Sequence, residues 1–216
     1  MDEIIKIIIG MSGKYAPTLI FDDFVKMVAI SLTNSTDIIH TKVWESRENQ
    51  YKTIVSKYTK EEFENFVKIL GLLVTLFDKE IYDYLGEIYM KCEMGNSRTG
   101  QFFTPFNLSE LTAKLNIDNI EEMKKSNDIV TLYEPTCGGG GLILAYLKTL
   151  KDNDINYQKK IKIVAQDLDF RSVYMTYIQL SLAGARAKVA QGDTLAEPVV
   201  TDKNRIFLTP MWKGLF

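Results

Sequence analysis

Glu134 and the run Gly138-Gly139-Gly140-Gly141 are the residues best suited to hold a ligand. Four successive glycines cost backbone entropy, so they suit a place where a ligand must approach the main chain closely. A helix opening just after such a loop offers free N–H groups and a partial positive charge. Two further carboxylate groups stand in matching surroundings, in Gln166-Asp167-Leu168-Asp169 and in Gly192-Asp193-Thr194-Leu195. An acid at a strand end suits a ribose, whose hydroxyls donate hydrogen bonds to a carboxylate. Asp193, at the next strand end, is placed to accept from the exocyclic amine of an adenine. The ligand implied is an adenosine with something attached. Of the second pair, Asp167 lies nearer the strand end and is the ligand residue of choice, while one of the two acids is expected to cap the following helix. A dinucleotide fingerprint would place a third glycine or alanine where Ile143 stands, so the pattern for NAD fails there.

The elements that must position these groups follow from periodicity. Ile129, Val130, Thr131 and Leu132 read as a buried strand, and Leu142, Leu144, Ala145, Leu147 and Leu150 as the helix after the glycines. Strands are expected at 129–133, 161–165, about 187–190 and 204–208, with helices at about 141–151 and 170–183 and Gly184 as a C-cap. This alternation predicts an α/β fold with a parallel, doubly wound sheet. The fourth strand would end in Thr209-Pro210-Met211-Trp212.

Residues 1 to about 95 read as all-helical. Phe24, Val25, Val28, Ala29 and Leu32 recur at helical spacing, and Thr59 with Glu62 forms a capping-box pattern. Gly95-Asn96-Ser97-Arg98-Thr99-Gly100 is a loop by composition and marks the expected boundary between a domain at 1–95 and one at 96–216. In Gly100-Gln101-Phe102-Phe103-Thr104-Pro105, Thr104 is expected to cap a helix and Pro105 to be its first residue.

Composition narrows the class. With 216 residues, 46% hydrophobic and 25% charged, the chain has room for one sizeable domain or a small and a medium one. A net charge of −2 advertises no global affinity for nucleic acid. Cys92, Cys137 and the single His40 make no metal pattern and no disulfide framework, which points to a reduced, cytoplasmic setting. The apolar start (Ile4, Ile5, Ile7, Ile8, Ile9) is broken by Lys6 and reads as a buried element, not a signal peptide, and no stretch is long enough to span a bilayer.

Four ordered motifs carry a resemblance. Gly100-Gln101-Phe102-Phe103-Thr104-Pro105, Glu134-Pro135-Thr136-Cys137-Gly138-Gly139-Gly140-Gly141, Gln166-Asp167 and Gly192-Asp193-Thr194-Leu195 resemble those of N6-adenine DNA methyltransferases, in particular the modification subunit of type I restriction-modification systems. Tyr82-Asp83-Tyr84-Leu85-Gly86-Glu87-Ile88-Tyr89 resembles the helix that precedes the first motif in those proteins. The resemblance implies a Rossmann-like S-adenosylmethionine-dependent methyltransferase sheet behind a helical N-terminal region. It implies that Phe103 and Thr104 lie by the methionine end of S-adenosyl-L-methionine. Glu134 with Gly138, Gly140 and Gly141 would hold the methionine portion. Asp167 would take the ribose, with Leu168 on the adenine, and Asp193 would bind the adenine amine, with Thr194 beside it.

The family's catalytic motif, a polar residue followed by two prolines and an aromatic, corresponds to Thr209, Pro210, Met211 and Trp212 here, so the first residue is Thr and the second proline is Met. The aromatic stacks on a flipped base in such enzymes. The sheet also reads as C-terminally shortened, since only four strands are placed before Phe216. Two functions are therefore expected: an adenine-N6 DNA methyltransferase-like protein, or a weak or inactive relative that binds cofactor and acts as a regulator, decoy or partner-binding protein. DNA is the expected substrate. A partner protein or a second copy is expected to cover the last strand, because an open edge invites pairing. Arg98, Arg171, Arg186, Lys188 and Lys213 form a candidate basic rim.

Overall fold

The computed structural model describes residues 1–93, 103–117 and 120–214. Five helices come first: α1 (Asp2–Gly10), α2 (Pro17–Ser35), α3 (Lys42–Val55), α4 (Lys60–Lys79) and α5 (Tyr84–Glu93). The start of α4 carries the expected capping box, with Glu62 N–H donating to Thr59 Oγ1 at 3.2 Å and Thr59 N–H to Glu62 Oε2 at 2.7 Å. Helices α6 (Phe106–Asn116) and α7 (Ile120–Lys125) lead to the sheet. Pro105 rather than Thr104 is the N-cap residue of α6, and no side chain caps it. Thr104 is thus free of the capping role expected for it.

The sheet comprises β1 (Val130–Glu134), β2 (Ile161–Asp167), β3 (Ala187–Gln191) and β4 (Ile206–Leu208), in the order β1-β2-β3-β4. Helices α8 (Gly141–Asp152) and α9 (Tyr157–Lys160) connect β1 to β2, and α10 (Phe170–Leu182) connects β2 to β3. The left-handed residue that ends α10 is Gly184, at φ 66°. The first three strands pair in parallel, with Glu134 opposite Ala165 and Asp167 opposite Gln191.

β4 departs from the expected pattern: it runs antiparallel to β3, with Lys188 opposite Leu208. The connection between them holds no α-helix, only a turn at 194–196 and a 3-10 turn at Lys203–Arg205. A parallel return needs a crossover element, usually a helix, to carry the chain back to the other end of the sheet. Without one, the chain turns at the edge it has reached and runs back.

The sheet is covered on one face rather than doubly wound. Ile161, Ile163 and Ala165 of β2 are buried, whereas on the other face Lys162 is exposed, Val164 half-buried, and Gln166 buried under the loop after β3, where it donates to Glu197 O. Right-handed crossovers that step in one direction place their helices on the same face. Helix α2 packs along α10, α6 packs on α8, and α5 touches both α2 and α10. The buried apolar side chains form one cluster that runs from Ile4 and Phe24 through Leu85 to Ile163 and Phe207.

Candidate cofactor site

The site is built where β1 gives way to α8. Gly138 and Gly140 take φ values of 52° and 92°, the left-handed region that only glycine enters at little cost. Cys137 N–H donates to Gln166 O at 2.9 Å, which ties the loop to β2. Burial pushes the Cys137 thiol up to about 12, so it is a packing group and not a nucleophile.

Of the two acids after β2, one caps the next helix and the other does not. Asp167 faces the glycine loop, its Oδ2 accepting from Gly138 N–H at 2.8 Å and its Oδ1 from Asp169 N–H at 3.0 Å. Asp169 caps α10 by accepting from Arg171 N–H at 3.1 Å. Past β3, Asp193 is exposed and accepts from Leu195 N–H at 2.9 Å. Thr194 Oγ1 donates to Pro135 O at 2.6 Å and joins this loop to the one after β1. Glu134 Oε1 accepts from Thr136 N–H at 3.2 Å. Because three strands are parallel and adjacent, Glu134, Asp167 and Asp193 share one sheet edge. Glu134 Oε2 and Asp193 Oδ2 have no partner among the described residues, and Asp167 retains lone pairs beyond the two it uses. Leu168, beside them, is 68% exposed.

Phe103 closes one flank. A side-chain carbon placed on Gly138 would stand 3.3 Å from its ring, and that ring meets Tyr89 edge-on at 5.4 Å. Thr104 is exposed and lines, with Tyr82, Asp83, Glu87, Phe103 and Glu110, a pocket of about 390 Å³. Gly100, Gln101 and Phe102 of the same motif lie outside the described residues.

Three residues to which the sequence assigned no role hold the loop from beneath. Thr176 Oγ1 donates to Gly138 O at 2.8 Å, and Gln179 Nε2 to Gly139 O at 2.7 Å and to Asp83 Oδ1 at 2.8 Å. Asp83 is 5% exposed, and burial pushes its carboxyl up to about 6. A signal for two of them existed. Ser172, Thr176 and Gln179 make a polar stripe at helical spacing inside an otherwise apolar helix, and all three are fully buried.

The expected catalytic group is not brought to this edge. Since β4 is antiparallel, Thr209 lies at the start of β3, opposite the end that carries Asp193. It is fully buried, donating to Ala185 O at 2.7 Å and accepting from Ala187 N–H at 3.0 Å. Pro210 is buried, and Trp212 lies 4.6 Å from Lys162 Nζ on the open sheet face. The expected basic rim does not assemble either: Arg171 pairs with Asp22 at 2.5 Å and Lys213 with Asp37 at 2.5 Å, while Arg98 lies outside the described residues.

Residues 77–208, more than half of the chain, match the family described as N-6 DNA Methylase. The chain belongs to that family. Among solved structures, it is similar to a protein from Listeria monocytogenes described as a class I S-adenosylmethionine-dependent methyltransferase, with 12% identity, a TM-score of 0.41, and 93% of this chain and 56% of that one covered. It is also similar to the type I restriction-modification system methyltransferase subunit from Streptococcus thermophilus, with 18% identity, a TM-score of 0.46, and 90% and 43% covered. The chain thus spans about half the length of these structures. No curated protein matches its sequence.

Proposed function

We propose that this N-6 DNA methylase family member is a restriction-modification-type DNA adenine-N6 methyltransferase-like protein that binds S-adenosyl-L-methionine at the carboxyl edge of β1, β2 and β3. The observation behind it is the convergence of Glu134, Asp167 and Asp193 beside a left-handed glycine loop, all within the matched residues. Glu134 and the backbone of Gly138, Gly140 and Gly141 hold the methionine portion, flanked by Phe103 and Thr104. Asp167 accepts from the ribose hydroxyls, Leu168 lies against the adenine, and Asp193, with Thr194 beside it, accepts from the adenine amine. The unpartnered oxygens of Glu134 and Asp193, the spare lone pairs of Asp167 and the exposed Leu168 support this assignment. When bound, the cofactor supplies an activated methyl group on a sulfonium. Thr209 is assigned no part in using it, because its hydroxyl is committed within the sheet.

Membership of the family favours this function over that of a regulator or decoy. DNA is the proposed substrate, and a partner chain is proposed to complete the sheet. The last strand, β4, for which that partner was expected, is an outer strand, and so is β1, whose Val130 and Tyr133 are exposed. The free cysteines and the lack of a membrane-crossing helix among the described residues suit the cytoplasmic location we propose. Titration calorimetry with S-adenosylmethionine tests the core of the proposal. Binding is expected, weakened about tenfold or more by Asp167→Ala and by Asp193→Ala, since each removes hydrogen bonds to a charged group. No heat from a well-folded sample at high concentration overturns it.

A further inference from the structure

Asp83 comes from the turn into α5, in the helical region, yet its carboxylate lies against the glycine loop. A side-chain carbon at Gly141 would stand 2.8 Å from Asp83 Oδ2, and one at Gly139 would stand 3.5 Å from Oδ1. One at Gly86 would collide with the same carboxylate, so the glycine there makes room for it over the start of α5. Asp83 Oδ1 accepts from Gly86 N–H at 2.9 Å and from Gln179 Nε2 at 2.8 Å. The same Gln179 Nε2 reaches Gly139 O, and Gln179 Oε1 accepts from Leu85 N–H at 3.0 Å. No side chain of the loop caps α8, whose N-cap is Gly140. Asp83 Oδ2 therefore stands where the positive end of that helix emerges.

Resting on the cofactor assignment above, we propose that Asp83 is a positioning residue for the cofactor: bridged by Gln179, its carboxylate holds the backbone of residues 138–141 in the left-handed shape that receives the methionine portion. No cation pairs with Asp83 among the described residues, so it has no salt-bridge role to account for it. A buried carboxylate without a cation is costly to keep, and its orientation toward the loop gives it a use. The charged groups around it are Glu87 on its own helix and Glu110 across the shared pocket; α10 presents the neutral Met175, Thr176 and Gln179.

The test pairs ligand binding with a measurement that needs no ligand. In Asp83→Asn the amide keeps the shape but turns an N–H₂ group toward the helix start. Gln179→Met keeps the volume and removes the bridge. For either folded variant, hydrogen exchange of residues 138–141 without ligand should quicken, and the Kd for S-adenosylmethionine should rise, each by about tenfold. Wild-type affinity should fall between pH 7.5 and pH 5.5, as the raised Asp83 carboxyl takes up a proton, and Asp83→Asn should flatten that dependence. A purely structural Asp83 would leave the pH profile in place. Unchanged loop exchange and unchanged affinity in both variants, or in Gln179→Met alone if Asp83→Asn does not fold, overturn the proposal. If the wild type binds no S-adenosylmethionine, the cofactor assignment fails, and the exchange measurement still decides whether Asp83 holds the loop.

Discussion

Asp83 and Thr209 show opposite ways in which a buried polar group is used. Thr209 satisfies its hydroxyl fully, as donor and as acceptor, and so stitches the end of β4 to the start of β3. Asp83 takes its two hydrogen bonds on Oδ1 and pairs with no cation among the described residues, and its carboxyl is pushed up from 3.8 to about 6, with burial as the main cause. The sign of the resulting pH effect follows from proton counting. Between those two values the unfolded chain has lost the proton while the folded one keeps it, so stability contributed by this group falls as pH rises, and it stays lower above about 6. A shift of this size corresponds to about 3 kcal/mol between the limits. Thermal melts of the wild type and Asp83→Asn at pH 4 and pH 7 are the check. The variant should gain several degrees on the wild type in going from the lower pH to the higher one. A difference that does not change with pH would show that Asp83 is not the group responsible. The strand-end carboxylates were legible from spacing alone, but Asp83 was not. Its partner Gln179 is 96 residues away, and no local pattern links them.

Helix α10 shows how one element serves both site and core. Its first turn is fixed by Asp169, its buried polar stripe holds the glycine loop, and its other positions fill the cluster under the sheet. Asp169→Ala should remove the cap and cost about 1 kcal/mol, a melting shift of about 2–4 °C for a chain of this size. Affinity for S-adenosylmethionine should change far less than with Asp167→Ala, because Asp169 acts on the helix and Asp167 faces the loop. Equal losses of affinity in the two variants would reverse that division. The strand-loop-helix unit from β1 to α8 and the helix ending at Gly184 were readable because apolar period and glycine placement agree there. The direction of β4 was not. Its residues Ile206, Phe207 and Leu208 announce a strand, but three residues carry no direction, which is set by the helix-free connection before them. Thr104 failed as a cap for a related reason: cap preference at one position does not fix where the first turn closes, and α6 begins after Pro105.

The helical region and the sheet are joined by more than apolar contact. Arg171 of α10 donates to Asp22 of α2 at 2.5 Å and to the Tyr89 hydroxyl of α5 at 2.7 Å. Thr33 Oγ1 meets Tyr177 Oη at 2.9 Å, and Arg47 of α3 donates to Ile206 O of β4 at 2.9 Å. With one buried cluster spanning both parts, loss of the helices would expose the apolar side of α10, on which the sheet depends. The expected consequence is a single cooperative transition. The two tryptophans make this measurable, since Trp44 lies in α3 and Trp212 follows β4. In Trp44→Phe and Trp212→Phe, the remaining indole reports on one part alone. Urea unfolding followed by fluorescence in the two variants, each compared with its own circular dichroism, should give coincident curves with the same midpoint and slope. Separate transitions would mean that residues 1–95 fold as a domain of their own. In that case Asp83, which lies in that region, would bring the glycine loop under the control of a separately folding unit.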